Sequence, residues 1–302
     1  MSEHITHIAV YEDCTRIMKF SREKFTKAFH EAIDAAYDCG MFCSGSRGNH
    51  LYAIPILEKN RDLYGTNKYG QNEIEQVAGA IGWLTHRASD LEMKPMFKKI
   101  TALENPMLIS NEGQMYHDAV SFKEVYQGGK INTKSPYEHV DESLLARQME
   151  TNPAGKHIEV DYFENLMAHY YVARMVDQCK FTGKMDDVNE FAEKLVDYSQ
   201  DLYEDLRMYI RAYNNPEPYK MQGYIHNFNI YNPEDSLIRF VRYVQQNGRE
   251  HPSINLETAL EDSKGQSHYA RALKRGYDYV GALSAFFDKK ISREEVIERC
   301  EI

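Results

Sequence analysis

Apolar positions recur along this chain at three- and four-residue steps, the spacing of an amphipathic helix. Phe25, Phe29, Ile33 and Tyr37 make one such stripe, which predicts a helix opened by Ser21 as N-cap. Val188, Phe191, Leu195, Tyr198, Leu202, Leu206 and Tyr209 make a second, opened by Asp186, and Tyr269, Leu273, Tyr277, Val280, Leu283 and Phe287 a third. Ser292 and Glu295 have the spacing of a capping box before a last short helix. Asn232 followed by Pro233 reads as a cap and first helical position. Alternating β-branched runs are absent, so strands are not expected. Pro and Gly place loops at 40–49, 101–111, 127–136, 151–155, 214–229 and 248–252. None is long enough to separate two domains, and the pattern predicts an all-α fold, one compact multi-helix domain over residues 1–302.

One segment differs from the rest. Gln76–Thr85, QVAGAIGWLT, carries no charge, and Gly79, Ala80 and Gly82 give it a small-residue flank. A helix without a charged face is buried on all sides, yet this one runs directly into His86, Arg87 and Asp90. Charge on a core element needs a partner or a metal. His86 and Asp90 are four apart and share a helix face, with Cβ atoms about 5–6 Å apart. An imidazole nitrogen and a carboxylate oxygen at that reach suit zinc. The structural alternative is an internal salt bridge with Arg87 or Lys94. The same spacing occurs at His30/Asp34, which reads as a solvated pair, and at His157/Asp161, where Asp161 also suits a helix start.

Composition narrows the function. The 302 residues carry a net charge of −10, which argues against broad phosphate neutralisation on nucleic acid. No apolar run approaches the roughly 18 residues of a membrane span, and the N-terminus lacks a signal-peptide pattern. Five cysteines without CxxC spacing argue against a disulfide framework and suggest a reducing, cytoplasmic setting. Cys39 and Cys43 read as small core residues. His7 lies in THIAVYED beside Asp13, His50 ends the turn SGSRGNH, and His117 opens HDAVSFKEVY. Each becomes a candidate ligand only if the fold brings it to His86 and Asp90.

In that order these segments resemble the zinc-dependent phospholipase C and single-strand-specific nuclease superfamily, mainly over residues 4–125. The resemblance implies an all-helical fold with a cluster of up to three zinc ions, with His86 a ligand and Asp90 a metal-bridging carboxylate. It places the early and late histidine ligands at His7 and His117, with His50 standing where such proteins present an Asp. Met96 stands six residues after Asp90 and Ser121 four after His117, positions where that pattern has a further ligand. The implied site is therefore reduced to one or two zinc ions. The expectation is a metal-dependent phosphoester hydrolase for a small phosphodiester or lipid headgroup. Its metal ligands are drawn from His7, Asp13, His50, His86, Asp90 and His117, Asp90 is central to catalysis, and Lys94 or Arg47 receives the phosphate. The alternative is a non-catalytic helical binding or scaffold protein that keeps the fold.

Overall fold

A computed structural model describes residues 4–45, 50–102, 110–127, 212, 213 and 215–302. The described residues are mostly helical, with no strand among them. The helices are α1 (His4–Lys19), α2 (Lys27–Ala35), α3 (Tyr37–Gly45), α4 (Ala53–Leu63), α5 (Gln71–Ala102) and α6 (Ser110–Val125). After the undescribed stretch come α7 (Pro218–Met221), a π turn at Gln222–His226, α8 (Ser236–Asn247), α9 (Leu256–Asp262), α10 (His268–Phe287) and α11 (Arg293–Arg299). The second apolar stripe and the His157/Asp161 pair lie outside the described residues, as does Arg47.

Two compact units divide the chain: His7–Met96 with Asn229–Ile302, and Met1–Thr6 with Phe97–Phe228. In the first, α5 is buried without interruption from Gln76 to His86, as its uncharged sequence requires. The glycine at position 82 has a physical reason there. A Cβ would lie 1.9 Å from the Gly40 carbonyl oxygen, so only a hydrogen lets α3 and α5 come this close. Around this core, Phe29 packs edge-on against Phe287, and the Arg61 guanidinium lies over the Phe286 ring. Pro95 removes one amide donor near the end of α5, whose partner would have been the Leu91 carbonyl. In the second unit, Lys220 and Glu112 form a buried ion pair at 2.6 Å, and Tyr224 donates to the other Glu112 oxygen at 3.0 Å.

Several local expectations hold and several shift. The third stripe becomes α10, and Ser292/Glu295 forms both bonds of the capping box. Ser21 caps no α-helix; it precedes a 3-10 turn at Arg22–Lys24, and Thr26 stands at the start of α2. Tyr37 opens α3, because the chain breaks at Ala36. Asn232 and Pro233 form a turn in which Asn232 Oδ1 accepts from the Glu234 amide, and Asp235 begins α8. Glycine-based loop boundaries fail at 40–45, where α3 continues, and at 218–226, where α7 and the π turn lie. Tertiary packing there overrides a weak local preference.

Candidate metal centre

The site is built where His7 of α1 meets α5 at and just past the end of its buried stretch. His7 is 1% exposed and His86 3%. Their rings stack with centroids 4.2 Å apart and planes 24° apart. His7 Nε2 lies 3.2 Å from Asp90 Oδ1, and His86 Nε2 lies 3.3 Å from Asp90 Oδ2. One ligand atom from each of the three residues falls within 4.8 Å of the others. The third partner of the carboxylate is Lys94, whose ammonium bonds Asp90 Oδ2.

The hydrogen bonds specify the chemistry of this group. His86 Nδ1 is 2.7 Å from the Ser44 carbonyl oxygen, which only accepts, so Nδ1 carries a proton. In a neutral imidazole that leaves a bare lone pair on Nε2, facing a carboxylate oxygen. Two acceptors in contact repel unless a proton or a metal cation lies between them. Burial holds the His86 pKa below its ordinary value, and the neighbouring His7 adds to this, against the pull of Asp90. Burial alone would raise the Asp90 pKa, but the neighbouring His7 and His86 outweigh it and hold the carboxyl well below the usual range. A half-buried ionised carboxylate, a tautomer fixed by a backbone carbonyl and two nitrogens on one side suit a divalent cation. Two nitrogens and one oxygen fit a three-ligand site with open positions.

The remaining sequence candidates have other partners. Asp13 is fully buried, but Arg16 Nη1 (2.6 Å), Tyr269 (2.8 Å) and Arg242 already occupy its oxygens. Those bonds make Asp13 a structural anion and take it out of the ligand set. His50 opens the turn before α4, where its Nε2 meets Arg87 Nη1 at 3.2 Å. Burial, then Arg87 and His86, push the His50 pKa down to about 4, although Asp90 opposes the shift. It is a neutral acceptor for arginine and no member of the three-residue group. His117 belongs to the second unit, with Nε2 3.3 Å from the Tyr224 carbonyl and its ring 5.1 Å from Phe97. His30 and Asp34 are partly or fully solvated, as expected.

No protein-family model, curated protein or solved structure matches the chain. Sequence reasoning missed two parts of the site. The Ser44 carbonyl is a backbone group and has no side-chain signature. The Arg87–His50 contact joins positions 37 residues apart, and no spacing rule links them. Among the described residues no helix is long and apolar enough to cross a membrane.

Proposed function

We propose that the chain is a metal-dependent hydrolase of phosphoesters, with His7, His86 and Asp90 holding a zinc ion. The observation that carries the reading is His86, with Nδ1 held 2.7 Å from the Ser44 carbonyl and Nε2 3.3 Å from Asp90, beside a second buried imidazole. Zinc bound there supplies a Lewis acid and a water of lowered pKa. The protein's own part is to fix the imidazole tautomer through Ser44, to keep Asp90 ionised, and to hold the α1 and α5 donors together. Lys94, 55% exposed at its side chain and bonded to Asp90, would be the cation placed to meet a phosphate beside a bound metal. The acidic chain and the resemblance to zinc phospholipases and nucleases support a small phosphodiester or a lipid headgroup as substrate.

The test is metal content after purification without chelator, followed by hydrolysis of bis(p-nitrophenyl) phosphate. About one zinc per chain and turnover abolished in His86→Ala support the proposal. A chain that takes up no zinc on titration overturns it. The Lys94–Asp90 ion pair favours a second reading, a helical binding protein in which the cluster is a metal-free polar core. That reading expects His86→Ala to change stability alone.

A further inference from the structure

We infer that Arg87 is an oxyanion-binding residue beside the metal centre, shaped for the non-bridging oxygens of a phosphate group. The inference deepens the proposed function, and its ligand class rests on that reading. Within the His7–Met96 and Asn229–Ile302 unit, the other partly buried arginines each have a carboxylate within 4.0 Å. Arg16 and Arg242 hold Asp13, Arg61 meets Glu58, and Arg271 and Arg275 hold Glu92. Arg87 has none among the described residues. Its Nε donates to the Cys300 carbonyl at 3.1 Å and its Nη1 meets the His50 ring nitrogen at 3.2 Å. Both partners are uncharged acceptors. They orient the planar guanidinium without neutralising it, and among the described residues no hydrogen bond to Nη2 is seen.

A partly buried, fixed and unneutralised guanidinium is costly to keep, and its fork matches the oxygens of phosphate better than any lysine does. Its place is also specific. Arg87 follows His86 directly and precedes Asp90 by three positions on α5, so it lies within one helical turn of the site on a neighbouring face. His50, which buttresses it, is close enough to the centre to feel the charges of His86, Asp90 and Lys94. Lys94 reaches the carboxylate of Asp90; Arg87 is the cation beside the centre that has no carboxylate of its own.

The experiment is calorimetric titration of inorganic phosphate into the full chain, zinc-loaded and zinc-free, for the wild type, Arg87→Gln and Arg87→Lys. Loss of the charged fork should weaken phosphate binding about tenfold in Arg87→Gln, with Arg87→Lys between the two. Zinc affinity should stay within about twofold, since Arg87 is no ligand. Equal phosphate affinity in wild type and Arg87→Gln overturns the inference, as does the absence of phosphate binding in both metal states. A chain that binds phosphate through Arg87 yet takes up no zinc sinks the hydrolase reading and leaves the anion site standing. If circular dichroism shows Arg87→Gln unfolded, the Lys variant decides: affinity equal to wild type then overturns the inference.

Discussion

The rings of His7 and His86 lie face to face, 4.2 Å apart, and both turn their Nε2 atoms to the single carboxylate of Asp90. Two imidazolium ions cannot share that space, because like charges at this separation repel strongly in a buried setting. The Asp90 carboxylate already bonds the Lys94 ammonium, so a second protonated ring would exceed the charge it offsets, and the proposed divalent cation would serve all three groups without protonating either ring.

Zinc should stabilise the folded chain. A ligand that binds only the folded state at a concentration one hundred times its Kd adds about 2.7 kcal/mol. We expect the thermal midpoint to rise with zinc and return with a chelator, and the rise to disappear in Asp90→Asn. Thermal melts followed by circular dichroism with metal in excess over the chain read this directly.

Acid should weaken the unit through Glu92. Burial would raise its pKa, but His268, Arg275 and Arg271 bring it down to about 2 from an ordinary value of 4.5. A carboxyl with a depressed folded pKa gives stability that is complete above the unfolded value and lost as pH falls toward the folded one. The loss should run from about pH 4.5 to pH 2 and amount to roughly 1–2 kcal/mol, since solvent screens part of this network. Urea denaturation of Glu92→Gln should lack that segment of the pH profile.

Thr6 and Asp118 should behave as a structural pair in the second unit. The Thr6 amide and hydroxyl both donate to Asp118 Oδ1, at 2.9 and 2.8 Å, and Ser121 joins the Thr6 hydroxyl at 2.9 Å. The carboxylate thereby satisfies an amide in the first turn of α1, which helical bonding leaves open. Asp118→Ala should cost about 2–4 kcal/mol by orphaning buried donors, whereas Asp118→Asn keeps an acceptor and should recover part of it. Chemical denaturation of the two variants separates these outcomes.

Two glycines should respond oppositely to alanine. At Gly82 the new Cβ meets the Gly40 carbonyl, so Gly82→Ala should cost about 3 kcal/mol or prevent folding. At Gly281, in the interior of α10, a Cβ meets nothing within 4 Å. Gly281→Ala should therefore gain about 0.5–1 kcal/mol by helix propensity alone. Equal effects at the two positions would contradict the close approach of α3 to α5.

The Cys300 thiol should resist alkylation in the native state. Burial pushes its pKa up to about 12, so little thiolate exists near neutral pH. Iodoacetamide labelling followed by mass spectrometry should modify Cys300 only on unfolding.

The sequence by itself determined the helical class, the charge-free stretch that ends at His86, and the shared face of His86 and Asp90. These are consequences of short-range periodicity, which backbone geometry imposes on neighbours three and four residues apart. It also carried the cap at Ser292, where the whole motif lies within four residues. It did not reveal that Asp13 is consumed by Arg16 and Arg242, or that His50 serves Arg87, because those partners are separated by folding distance and not by helical spacing. His7 was a candidate on its own strand of sequence and became a member only when α1 crossed α5. The conversion of scattered donors into one electrostatic centre belongs to tertiary structure, since Coulomb and hydrogen-bond energies depend on separation in space, which a pattern along the chain does not contain.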